Sequence, residues 1–134
     1  MSEYTEVELE IKDPECLKAA LLELGYKFEE HKEPQKLKGY QGDDRDQKAH
    51  IIVRRKYVGS SANDVGFLKD GKHYKMIISE FDRHAGSQSV NFMSKLKQTY
   101  TKHVILKKTK SMGYRVSSQT TLSDGRIKIR VSEM

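Results

Sequence analysis

The stretch Thr5-Glu-Val-Glu-Leu-Glu-Ile11, followed by Lys12-Asp13-Pro14-Glu-Cys-Leu-Lys-Ala-Ala-Leu-Leu-Glu-Leu24-Gly25-Tyr26, decides the fold class. Its first part alternates strictly, with Val7, Leu9 and Ile11 on one side and Glu6, Glu8 and Glu10 on the other. Period two with one polar face predicts a half-buried strand. Asp13 is placed to accept from the free amides at a helix start, and Pro14 stands where a missing N–H costs nothing. Leu17, Ala20, Leu21 and Leu24 recur at helical spacing, and Gly25 ends the run. A strand, a helix and a return strand from Tyr26 to His31 follow.

Further along, residues 32–49 contain Pro34, Gly39, Gly42 and the acids Asp43, Asp44 and Asp46, with only Leu37, Tyr40 and Ala49 apolar. This composition predicts a long polar loop. His50 to Val53 reads as a strand too evenly apolar to assign a face. Val65 to Leu68 and Lys72 to Phe81 flank Asp70-Gly71, a hairpin signal, with Tyr74, Met76 and Ile78 on one face. Gln88 to Met112 reads as a long second helix, with Val90, Met93, Tyr100, Val104 and Met112 on its apolar side and Leu96 and Ile105 at the edges. The β-branched Thr99 and Thr101 mark a place where it could break. Tyr114 to Thr121 and Arg126 to Ser132 form a last hairpin, alternating Ile127, Ile129 and Val131 against Arg126, Lys128 and Arg130.

Leu24-Gly25-Tyr26-Lys27-Phe28 and Met112-Gly113-Tyr114-Arg115-Val116 match in pattern. The expectation is one α+β domain over residues 1–134. It has a mostly antiparallel sheet with two helices on one face, an elaborated ferredoxin-like arrangement. In that topology the first and last strands are neighbours, and Glu6, Glu8 and Glu10 stand beside Arg126, Lys128 and Arg130.

Charge narrows the function. The 134 residues carry a formal net charge of +6, yet residues 1–67 hold 11 basic and 14 acidic groups and residues 68–134 hold 14 basic and 5 acidic. No apolar run is long enough to span a membrane, and the acidic start lacks a secretory pattern. One cysteine, Cys16, excludes an internal disulfide framework and suits a reducing compartment. His31, His50, His73, His84 and His103 lack metal-ligand spacing. Asp43, Asp44 and Asp46 lack the spacing of a calcium loop. Cys16 has no identifiable base, and no phosphate loop, nucleophile elbow or dinucleotide fingerprint occurs. No catalytic, cofactor or metal residues are assigned, and a non-enzymatic protein is expected.

What remains is the second helix. Lys95, Lys97, Lys102, Lys107, Lys108 and Lys110 lie on it, with no acid between Gln88 and Met112. These lysines form the expected docking surface for an acidic protein partner, with Tyr100 and Tyr40 as apolar anchors and the 32–49 loop beside them. A nucleic-acid backbone is the first alternative, since lysine positions phosphates. A structural component of a virion or other large assembly is the second.

Asp64-Val65-Gly66-Phe67, Asp70-Gly71, Tyr74 and Met76, the long helix with Tyr100 and Val104, Gly113-Tyr114-Arg115-Val116 and Asp124-Gly125-Arg126-Ile127 occur in this order. The order resembles that of the thirty-fifth hypothetical chloroplast reading-frame family. These are small plastid, cyanobacterial, bacterial and phage proteins of unknown function. The absence of tryptophan, the Lys-rich helix and the longer acidic segment mark a diverged member. The resemblance supplies no catalytic residues. It implies an accessory or adaptor role, because genes of this family often lie near those for ring-forming AAA-type ATPases. It also implies a bacterial cytoplasm, a plastid stroma or a phage virion as the setting.

Overall fold

The computed structural model describes residues 4–39, 41–59, 62–79, 89–122 and 127–133. Strand β1 (Tyr4–Ile11) leads into helix α1 (Pro14–Glu23). The Asp13 carboxylate accepts from the amides of Glu15 and Cys16, at 3.0 and 3.1 Å. At the other end Gly25 N–H donates to the Leu22 carbonyl and Tyr26 N–H to the Leu21 carbonyl. This double closure requires the left-handed conformation that Gly25 adopts at φ 83°.

Strands β2 (Glu29–Lys38) and β3 (Asp44–Val53) follow, then the short helix α2 (Arg55–Val58), β4 (Val65–Asp70) and β5 (His73–Ser79). Helix α3 (Ser89–Ser111) and the strands β6 (Tyr114–Thr121) and β7 (Ile127–Glu133) complete the chain. The main sheet is antiparallel in the order β1-β5-β4-β3-β2, and β6 pairs with β7 in a sheet of their own. The protein is therefore α+β. Both long helices lie on one sheet face, where Leu17, Leu21, Phe92 and Leu96 bury against Ile51, Phe67, Met76 and Ile78.

Residues 32–49 are not a loop. They form most of the β2–β3 hairpin, closed by Gly39 N–H to the Asp43 carbonyl at 2.9 Å. Among the described side chains of its strands the ribbon buries only Leu37 and Ala49 along this length, so no period-two hydrophobic signal marks it. Pro34 sits in the irregular stretch of β2, an edge strand, where a missing donor is tolerated. The acids of the turn are matched by bases: Asp44 pairs with Lys38 at 3.1 Å and Asp43 with Arg45 at 3.9 Å.

The outer part of this hairpin packs over the sheet face opposite the helices. Leu37, Ala49, Ile52 and Ile77 form a second small core there. Gly66 makes the close approach possible: a β-carbon at this position would stand 2.5 Å from the Ala49 Cβ and 2.9 Å from the Leu37 Cδ2. The even apolarity of Ile51-Ile52-Val53 now has its reason. Ile51 and Val53 face the helices while Ile52 faces the folded hairpin.

One carboxylate fastens the hairpin. Asp64, with a side chain 1% exposed, accepts from Lys38 N–H at 2.8 Å, Arg55 N–H at 2.8 Å and the Arg54 guanidinium at 2.7 Å. Its backbone N–H donates to the Lys38 carbonyl at 3.0 Å, and its carbonyl accepts from the Tyr4 hydroxyl at 2.9 Å. Arg45 stands over the Tyr4 ring, 5.1 Å from its centroid.

The expected pairing of the first and last strands does not occur. β1 pairs with β5, through Tyr4↔Ser79 to Ile11↔Tyr74, and β7 pairs with β6. The acid–base ladder between them is thus not formed. Strand β5 carries buried Met76 and Ile78 on one face and buried Ile77 on the other, so it belongs inside a sheet covered on both sides. The last hairpin is apolar on one face only and packs on α3.

Two substitutions test this arrangement by urea unfolding. Gly66→Ala should cost about 1–3 kcal/mol through overpacking, and adding Ala49→Gly should recover part of that loss. Asp64→Ala should cost about 3–5 kcal/mol, because it leaves the Arg54 charge without its buried partner.

Candidate docking surface on the long helix

Helix α3 runs unbroken through Thr99 and Thr101. Thr99 is buried, and the exposed Thr101 bonds its hydroxyl to the Lys97 carbonyl one turn back at 2.8 Å, a local bond that the helix accommodates without breaking. The core stripe is Phe92, Leu96 and Tyr100, with Met93 and Val104 partly buried beside it. Met112, expected on the apolar side, is instead 64% exposed, and Ile105, expected at its edge, is 40% exposed. The side chain of Val90 lies outside the described residues.

Tyr100 is not an exposed anchor. It is 7% exposed, and its hydroxyl accepts from the amides of Lys12 and Asp13 at 3.0 and 3.2 Å. It thereby fixes the corner between β1 and α1. Lys107 reaches the Asp13 carboxylate, while Lys102 and His103 converge on Glu23 near the other end of α1. The Lys107 ammonium holds the Asp13 carboxyl below its ordinary pKa, and Lys102, followed by His103, does the same for Glu23. Tyr100, Lys102 and Lys107 therefore join the two helices. Sequence spacing could not separate Lys102 and Lys107 from the other lysines, because their acidic partners lie 79 and 94 positions away in the chain.

Lys95, Lys97, Lys108 and Lys110 remain exposed, with no ion pair among the described residues. Lys97, Thr101, Ile105 and Lys108 recur at steps of three and four and so share one helix face, and Met112, directly after the helix with its N–H donating to the Lys108 carbonyl, continues the row. All five are exposed. The result is a basic stripe with two large apolar side chains set into it. Tyr40 lies outside the described residues.

A second polar cluster escaped the sequence reading. Arg54 donates to both Glu29 oxygens at 2.8 Å and to Asp64, and His31 Nε2 stands 2.9 Å from Glu29. The Arg54 guanidinium, aided by His31, lowers the Glu29 pKa to about 2, against a smaller opposing effect of burial. The only trace of this cluster in the sequence is a basic pair at 54–55 and an acid at 64, each directly beside an apolar strand. Cys16 is buried, and its thiol pKa is raised by that burial and by the Asp13 carboxylate. It is an apolar filler in the α1 core rather than an activated nucleophile. Among the described residues, no three His, Cys, Asp or Glu side chains stand together to hold a metal ion.

Residues 20–130 match the model of the family described as "Protein of unknown function (DUF1257)". The chain belongs to this family. It is similar to the "Uncharacterized protein ycf35" of Cyanophora paradoxa, at 30% identity over 131 residues, covering 98% of this chain and 96% of that one. The protein of the same name from Pyropia yezoensis is 26% identical over 98% of this chain and 96% of its own length. That of Guillardia theta is 27% identical over 96% and 94%. No solved structure gives a significant match. The family resemblance seen in the short motifs is thus shown over nearly the whole chain. Asp64 and Gly66, two residues of the first such motif, are those that fasten and accommodate the β2–β3 hairpin. No helix among the described residues is long and apolar enough to cross a membrane.

The carboxylates set an acid limit on stability. Glu29 titrates ordinarily near 4.5 and in the fold at about 2. A lowered folded pKa contributes stability that is complete above the unfolded value and is lost as pH falls through the folded one. Stability should therefore decline from about pH 4.5 toward pH 2. Asp13 and Glu23 add to the same trend. In urea midpoints measured across that range, Glu29→Gln should start lower at neutral pH and fall less steeply.

Proposed function

We propose that this protein is a small non-enzymatic adaptor that docks on an acidic protein partner through the exposed face of α3. The observation that carries the reading is the placing of Ile105 and Met112, 40% and 64% exposed, in one stripe with Lys97 and Lys108. An apolar centre with a charged surround suits a protein surface. A phosphate backbone rewards lysine alone and gains nothing from isoleucine or methionine. Lys95 and Lys110 lie on other sides of the helix and add only to its general positive field, which speeds encounter with an acidic surface. Lys102 and Lys107 are excluded from the surface, since both are engaged with α1. The partner class that the family resemblance implies, a ring-forming ATPase, is one acidic protein this surface could receive. A reducing compartment, bacterial cytoplasm or plastid stroma, is the setting this reading expects for a chain whose cysteine is free and buried.

Affinity purification from the native host, with and without nuclease, tests the proposal. The tagged wild type should retain a protein partner after nuclease treatment. Ile105→Asp with Met112→Asp should weaken that retention about tenfold or more, as should Lys97→Glu with Lys108→Glu. Loss of the partner on nuclease treatment would overturn the reading in favour of nucleic acid. Full retention by both variants, with unchanged circular dichroism, would overturn it as well.

A further inference from the structure

Helix α3 is covered unevenly along its length. Its described buried residues, Phe92, Leu96, Thr99 and Tyr100, end at Tyr100. From Thr101 to Met112 every side chain is half-buried or exposed. In this second part Thr101, Ile105, Lys108 and Met112 follow one another at steps of four, three and four. That is the a/d spacing by which one helix seats on another. Lys97, four residues before Thr101, extends the row by one turn.

The chemistry of the row limits what can cover it. The main chain of a helix is hydrogen-bonded to itself, so this face offers no ladder to an added strand and is read through side chains alone. The row sets the ammonium of Lys108 between two large exposed apolar side chains, Ile105 and Met112. Neither Lys97 nor Lys108 has an ion pair among the described residues. A second copy of α3 fits this row poorly. In parallel register it sets Lys108 against Lys108, and in antiparallel packing it sets Lys108 against Ile105. Either way an ammonium is covered without a carboxylate.

We infer that this row receives an acidic amphipathic helix of the docking partner. The inference rests on the adaptor reading and names the form of the partner's contact. The row from Lys97 to Met112 is about 22 Å long, so the partner helix needs roughly 15 residues. Its apolar stripe lies on Ile105 and Met112, a carboxylate within that stripe meets Lys108, and a flanking acid meets Lys97. The acid in the stripe fixes the register, because a shift leaves it covered by isoleucine or methionine without a partner.

The probe is a fluorescein-labelled three-heptad peptide, titrated into the full chain and read by anisotropy. It carries leucine at a and d except for one central glutamate at d, glutamate at e and g, and alanine or lysine elsewhere. A control peptide has the same composition with its leucines scattered around the helix. The patterned peptide should bind about tenfold or more tightly than the control, and Ile105→Asp with Met112→Asp should remove that preference. Lys108→Glu should weaken binding about tenfold, and a peptide with lysine for the central glutamate should restore it in that variant. Lys48→Glu, at an exposed position of β3, should leave the affinity within about twofold. Equal binding of the two peptides, no binding of either, or a Lys108→Glu loss that the lysine peptide fails to restore would each overturn the helix inference. If the partner-retention assay still succeeds, such a result sinks only the helical form of the contact. Failure of both assays sinks the adaptor reading with it.

Discussion

The Asp64 carboxylate is the constraint on which the rest of the arrangement depends. It is buried, and its oxygens are filled by two backbone amides and a guanidinium. Through Lys38 it holds the end of β2, through Arg55 the start of α2, and through Arg54 the turn after β3. Its own carbonyl takes the Tyr4 hydroxyl from β1. A charge so placed is stable only while every partner is present, since an isolated buried carboxylate is strongly disfavoured. The outer hairpin therefore stays folded across the sheet instead of projecting into water. With it in place, Ile52 and Ile77 are covered, and the sheet has a core on both faces.

The two helices form the other half of the structure and are joined by a different device. Tyr100 closes the β1–α1 corner with its hydroxyl, and Lys107, Lys102 and His103 reach carboxylates near both ends of α1. Part of the positive charge of the long helix is thereby spent inside the molecule. Of the charge that remains on the helix, Lys97 and Lys108 share one exposed face with Ile105, and Met112 continues it.

How much of this was legible varied by element. Asp13-Pro14 and Gly25 announced α1 correctly, because capping is local chemistry. Asp70-Gly71 announced the β4–β5 hairpin for the same reason. The β2–β3 hairpin was hidden, since a ribbon with charged side chains at most positions and only Leu37 and Ala49 buried in its outer part has no periodic apolar signal. Tyr100 and Lys97 look alike as candidates on a lysine-rich helix, yet one is core and the other surface. Only the packing of α1 against one side of α3 separates them.

The amino-acid sequence by itself determined the α+β class, the ends of the first helix, the span of the long one and the uneven division of charge. These follow from capping, short-range periodicity and composition, which act within a few residues. Tertiary structure alone decided the strand order, the folding of the β2–β3 hairpin over Gly66 and the role of each lysine. Those depend on contacts between residues far apart in the chain, such as Lys38 with Asp64, 26 positions away, and Asp13 with Lys107, 94 positions away. At such separations the local pattern carries no information about which partner a side chain will meet.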